Sequence, residues 1–327
     1  MSKSKSLYLI ILASLVVLAI LPFFGPSDWQ KDLNISEEEK SFIFWQLRLP
    51  RTLLGLGAGA VLALAGLIFQ NLFRNGLATP YTLGVSSGAA AGAVAALKLQ
   101  LGFSFLGLGA MQAAGFLGAL VSVGLILLIA RSIRSYAVYT LPMAGIAINF
   151  FFSALIVLLQ YLQDYAHTLS IMRWLMGGVE ASGYREPGLM AVMAIVFLGL
   201  SLALRRELVL SAAGDSFAAG KGLEIQRFRL GLLVIVSLFV GITVSLIGPV
   251  GFIGLVIPHV CRSLAGSDYR AQILLSAWLG GVTLTLADFL SRTLIAPAEI
   301  PVGIITSFFG APFFVYILVS TRGRNQS

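Results

Sequence analysis

Long apolar runs, separated by short polar or glycine- and proline-containing turns, organise this chain from end to end. A run of about 20 apolar residues crosses a bilayer as a helix. Such runs are predicted near 7–24, 52–73, 81–97, 105–130, 139–162, 187–204, 230–247, 250–265, 272–290 and 302–320, the eighth being short and containing Pro258. The pattern predicts an all-α membrane protein, a polytopic bundle of about ten transmembrane helices forming one domain over residues 1–327. Lys3 and Lys5 precede the first run, but Pro22 and Pro26 follow it without a small-residue cleavage pattern, so a retained helix is expected there.

The stretch 48–92 departs most from a simple span. Behind Arg48 and Arg51 an apolar helix carries Gly55, Gly59 and Ala63, four apart on one face, then breaks at Asn75-Gly76 and Pro80 and resumes as a run of Gly, Ala and Ser. Small-xxx-small spacing lets helix backbones approach closely in lipid. Irregular backbone survives at membrane depth only where protein buries it or where it lines a cavity. Together these features predict a tightly packed bundle with a pathway through it.

Composition agrees: of 327 residues 58% are hydrophobic and 11% charged, with a mean hydropathy of +0.93, outside the range of soluble domains. Charge placement then sets an orientation. With both termini in the cytoplasm, the inner loops hold 14 of the 22 basic and four of the 14 acidic residues, a net of +10 inside against −2 outside. That is the Lys/Arg bias expected of cytoplasmic loops, and it accounts for the overall +8 without nucleic acid.

Candidate chemistry is sparse. Cys261 is the only cysteine, and His167 and His259 are too separated to suggest a metal centre. No nucleophilic triad or carboxylate pair falls among the helices, which argues against a membrane enzyme. Gly214 to Lys221 resembles a phosphate loop, but its glycines are separated by five residues and Gly222 stands where a hydroxyl residue is needed. Residues 205–229 form the longest polar inner connection. Two short amphipathic helices are expected there, Ala212 to Ala219 and Leu223 to Phe228, as either a solvated loop or a docking element for a soluble partner. Near the outer face lie Arg48, Arg51 and Arg292. Interfacial snorkelling and a local Asp288–Arg292 ion pair explain them most simply; a positive ring receiving an acidic partner is the functional alternative.

Several blocks in order resemble one family: WQLRLPRTL (45–53), GLATPYTLGVSSGAAAG (76–92), WLMGG (174–178), GFIGLVIPHVCR (251–262), LADFLSR (286–292) and EIPVGIITSFFGAPFF (299–314). They are similar to the permease subunits of type II ABC importers, the FecCD-like family that moves iron-siderophores, haem or cobalamin. The resemblance implies a transport subunit without catalytic residues or a bound metal or cofactor, ATP and Mg belonging to a separate ATPase. Its implied partners are a second permease copy in a homodimer, two soluble ABC ATPase subunits, an extracytoplasmic substrate-binding protein and the bilayer of the bacterial cytoplasmic membrane. By position it implies binding-protein docking at Arg48, Arg51 and Arg292, a cytoplasmic gate at Asn75, Leu77, Val138 and Tyr139, and ATPase coupling at Ala213, Gly214, Ala218, Gly220, Gly222 and Leu223 within 210–228.

The family's usual Asn-Pro-Leu-Ala turn reads Asn75-Gly76-Leu77-Ala78 here, so a looser gate turn is expected. The pathway is expected to be lined by spans five and ten. WLMGG is slightly closer to cobalamin permeases, while family frequency places iron-siderophore or haem first and cobalamin next. A gradient-driven secondary transporter is the competing class. It needs mid-membrane carboxylates, and only Asp288 and Glu299, both near the outer face, come close.

Overall fold

The computed structural model describes residues 3–25, 36–102, 104–105, 108–132, 140–162 and 165–324. The helices are α1 (Lys3–Ile20), α2 (Glu37–Phe42), α3 (Leu49–Leu72), α4 (Val85–Lys98), α5 (Ala110–Ser132), α6 (Thr140–Tyr161), α7 (Tyr165–Leu175), α8 (Arg185–Ala203), α9 (Arg205–Ala213), α10 (Asp215–Gly220), α11 (Ile225–Ile247), α12 (Ile253–Ala265), α13 (Tyr269–Thr293) and α14 (Val302–Arg324). A two-residue antiparallel pair, β1 (Ser104–Phe105) with β2 (Leu108–Gly109), precedes α5, so the fourth helix starts five residues later than the apolar run suggests.

Every predicted apolar run holds a helix, but length separates them. Among the described residues six helices are long and apolar enough to cross a membrane: the continuous Glu37–Leu72 stretch, α5, α6, α8, α11 and α13. α4 and α12 have only 14 and 13 residues, about 20 Å at the α-helical rise, short of the ~30 Å hydrocarbon core. Irregular backbone precedes both, at 77–84 and 248–252.

The second helix begins well before its predicted position. Ser36 caps it reciprocally with Glu39: the Ser36 hydroxyl accepts from the Glu39 N–H and the Glu39 carboxylate from the Ser36 N–H. A π-helical turn over Ile43–Arg48 joins α2 to α3. α3 is the central element: 83% of its most apolar window is buried, against 22% for α8 at the periphery.

The small face of α3 packs as its spacing predicts. A Cβ added to Gly59 would collide with the Gly280 carbonyl, and one on Gly55 would stand 3.0 Å from Thr285 Oγ1. Gly66 lies against the Gly254 carbonyl of α12. α4 and α5 repeat the device through Gly88, Gly92, Ala114 and Gly118. Without an apolar driving force between helices in lipid, such close approach supplies the dispersion contacts that hold them.

Candidate functional site: an apolar cavity between two ionic clusters

The irregular segments before the two short helices come together. Residues 79–82 and 249–252 line one cavity of about 950 Å³, with Leu62 and Leu77 and with Gly303, Ile304, Ser307 and Phe308 of α14. Among the described residues the lining holds no charged side chain; its hydroxyls come from Thr79, Tyr81, Thr82 and Ser307. Irregular backbone is therefore placed where it borders a cavity, as burial in lipid requires. The tenth predicted span, α14, supplies four of the lining residues. Among the described residues, none of α6, the fifth predicted span, lines this cavity.

Backbone hydrogen bonds fasten the cavity at one end. The Gly178 N–H donates to the Ile247 carbonyl (2.9 Å), Val302 N–H to Gly177 (3.0 Å) and Gly303 N–H to Met176 (3.0 Å). Gly177 has φ 72° and faces the Pro249 carbonyl, so its position demands glycine. At Gly178 a Cβ would meet only Glu180 Oε1, 3.9 Å away. Phe252 adopts φ 67°, rare for an aromatic residue, with its ring root against Gly310.

At the other end lies the Asn75–Leu77 turn. Asn75 Oδ1 accepts from the Leu77 N–H at 2.9 Å, an Asx turn that aims the exposed Leu77 side chain into the cavity. Thr79 and Thr82 bond reciprocally and continue the turn. Gly76 is absent from the positive-φ glycines and a Cβ there meets nothing within 4 Å. The Asn75 side chain shapes the turn through its bond from the Leu77 N–H. Val138 and Tyr139 lie outside the described residues.

The structure gathers Arg51 and Arg292 at one buried carboxylate. Arg51 Nε sits 2.9 and 3.1 Å from the two Asp288 oxygens, and its Nη2 lies 3.0 Å from Glu299 Oε2. Arg292 Nε is 3.2 Å from Asp288, the local pair read from their spacing. Arg48 is buried beside them, close enough to Arg292 for their charges to interact; its Nη1 donates to the Phe23 carbonyl at 3.3 Å and its guanidinium covers Gly25. Three arginines and two carboxylates leave the cluster at a net of +1. Sequence spacing did not reveal the Arg51–Asp288 pair, which joins residues 237 apart.

The polar connection over 205–229 is helical, but not with the expected bounds. α9 runs to Ala213, Gly214 (φ 137°, ψ 148°) breaks it, and α10 has only six residues. The second expected helix, Leu223 to Phe228, is largely the start of α11. α10 closes with a Schellman motif: Leu223 N–H bonds the Ala218 carbonyl, Gly222 N–H bonds Ala219, and Gly222 has φ 84°. Ala213, Gly220 and Gly222 are exposed, Gly214 and Leu223 half-buried. Ala218 is fully buried, so its side chain anchors α10 rather than facing outward. Phe217 and Val209 are exposed apolar side chains on this polar segment.

Comparison with known proteins follows the whole chain. The model of the FecCD transport family matches residues 7–320. An uncharacterised ABC transporter permease protein, YvrB, of Bacillus subtilis is 40% identical over 286 residues, 87% of this chain and 81% of its own length. The vitamin B12 import system permease protein BtuC of Citrobacter koseri is 36% identical over 323 residues, covering 98% and 94%. Among solved structures, one described as an inward-facing metal-chelate type ABC transporter superposes with a TM-score of 0.83 at 30% identity, covering 95% of this chain and 99% of that one.

Proposed function

The chain belongs to the FecCD transport family of ABC transporter permeases, and from that premise we propose that it forms, with a second copy, the pathway of an ATP-driven importer of a bulky metal chelate. The observation that carries this reading is the uncharged cavity of about 950 Å³ built from the broken segments of the fold. It is one-sided: Leu77, Tyr81, Ile304 and Phe308 on its wall are exposed in the single chain, and a second copy supplies the facing wall. Walls without fixed charge hold a large ligand weakly, which suits passage and leaves selection to a binding protein.

In this reading ten helices cross the cytoplasmic membrane of a bacterium, α4 and α12 completing their crossings through the irregular segments before them. Both termini are cytoplasmic, as the +10 inner charge favours. The Arg48, Arg51 and Arg292 cluster then faces outward and receives acidic residues of the substrate-binding protein. Residues 205–224 face inward, where two soluble ABC ATPase subunits dock; ATP and Mg reside in those subunits. Closure of the ATPases moves α9 and α10, and the paired chains switch between discrete helix packings.

Cobalamin is the first ligand to test, since several relatives are vitamin B12 import permeases; an iron-siderophore or haem is the alternative within the class. Uptake of radiolabelled cobalamin and of ferric chelates, compared between cells with and without this chain, separates them. ATP-dependent accumulation of either class supports the reading. Accumulation that follows an ion gradient and ignores ATP depletion contradicts it.

A further inference from the structure

One carboxylate oxygen links three elements on the inner side of the fold. Asp215, the first residue of α10, pairs through Oδ1 with Arg74 Nη2 and with Arg229 Nη2, the latter at 3.1 Å. Arg74 lies between α3 and the Asn75–Leu77 turn, and its Nε also donates to the Ser211 carbonyl of α9 at 3.2 Å. Arg229, in the first turns of α11, is 1% exposed.

We infer that Asp215 is a positioning residue that ties the α9–α10 segment to the turn bordering the cavity. The inference rests on the importer reading above and adds the route by which its inner segment reaches the pathway.

The geometry distinguishes an anchor from a lever. Arg229 is fully enclosed by the bundle and fixes one side of the carboxylate. Arg74 and Asp215 are both partly exposed, with side chains 34% and 43% accessible, so their pairing adds little to stability. Its consequence is positional. Arg74 holds φ 45°, a conformation that non-glycine residues adopt only when surroundings impose it. Gly214, whose φ and ψ are open essentially to glycine alone, sets Asp215 at the corner where it meets both arginines. From Arg74 the path is covalent to Asn75, whose Oδ1 holds the Leu77 N–H at 2.9 Å, and Leu77 lines the cavity. Displacing α10 therefore moves Leu77 through Asp215, Arg74 and Asn75, a contiguous physical chain of the kind that carries coupling.

The test uses Asp215→Asn and Asp215→Glu in the full chain. Spin labels at Gly76→Cys and Ser216→Cys, in a background with the buried Cys261 replaced by Ser, report the distance across the pair in the purified chain alone. Substrate moved per ATP hydrolysed is read in the assembled transporter. The wild type gives a narrow distance distribution. Asp215→Asn broadens it and lowers transport per ATP by roughly two- to fivefold, the scale of one partly exposed ion pair, while hydrolysis continues; Asp215→Glu restores both. An Asp215→Asn chain that keeps the wild-type distribution, or that keeps wild-type transport per ATP, overturns the inference. If no ATPase assembles with the wild type, the importer reading fails, and the distance distribution still decides whether Asp215 holds the two segments together.

Discussion

Arg51 and Asp288 meet through both carboxylate oxygens, Nε at 2.9 and 3.1 Å, across the interface between α3 and α13. Asp288 is 1% exposed and also faces Arg292 at 3.2 Å. Removing the acid takes the buried counter-charge from Arg292 and leaves Arg51 only the more exposed Glu299, and breaking a buried pair from one side costs about 3–5 kcal/mol. Asp288→Ala is therefore expected to lower thermal stability in detergent strongly, with Asp288→Glu retaining most of it. An unchanged melting temperature for the alanine variant would show that solvent reaches this site.

Glu299 occupies a different position in the same cluster. Its side chain is 45% exposed and it bonds Arg51 at 3.0 and 3.3 Å, so the contact contributes about 0–1 kcal/mol. It competes for the guanidinium that an acidic binding protein would engage. Glu299→Gln is expected to leave stability unchanged and to tighten binding-protein association by roughly two- to fivefold at low salt, the effect fading as salt rises. Weaker association, measured by surface plasmon resonance on reconstituted permease, would place docking elsewhere. Charge reversal of the arginines is a poorer probe, because Arg48 and Arg292 are buried.

Glycine substitutions should separate close packing from open space. Gly59→Ala forces a methyl into the Gly280 carbonyl and to within 2.8 Å of Leu284 Cβ, an overpacking cost of about 1–3 kcal/mol. Gly231 of α11 has nothing within 4 Å of an added Cβ, so Gly231→Ala gains about 0.4–1 kcal/mol through reduced chain entropy. Parallel thermal unfolding in detergent checks the opposite signs.

These positions also show what the sequence makes legible. The Gly55, Gly59 and Ala63 face was readable because helical spacing and residue size are local properties. So was the Asp288–Arg292 pair, one helical turn apart. The second partner of Asp288 was hidden, since nothing in the order of residues brings position 51 to position 288. The polar segment 205–229 was half legible: its polarity and glycines announced a break, but only backbone geometry places the stop at Gly214 and buries Ala218. Hydropathy located the two short helices and overstated their length, because residues 79–82 and 249–252 line a cavity instead of continuing a helix. The Tyr165–Leu175 helix, between the predicted runs 139–162 and 187–204, was missed for the opposite reason, its polar residues keeping it out of the apolar pattern.

The adjacent glycines of WLMGG should behave unequally. Gly177→Ser meets the Pro249 carbonyl at 2.8 Å in a left-handed backbone, which costs at least about 1–3 kcal/mol and should abolish expression of folded permease. Gly178→Ser has room and should leave both stability and uptake selectivity at wild-type values. A change of preferred chelate in Gly178→Ser, measured by competitive uptake, would make this position a selector after all.

Assembly with a soluble ATPase through residues 205–224 is the claim on which the rest depends. Co-purification from native membranes in mild detergent tests it, comparing the wild type with Ala213→Asp/Phe217→Asp, two exposed sites on that segment. A nucleotide-hydrolysing subunit is expected to accompany the wild type in equal proportion and to be lost from the double variant, whose melting temperature stays unchanged. A wild-type chain that purifies without any such subunit, or a double variant that retains it undiminished, would contradict the account.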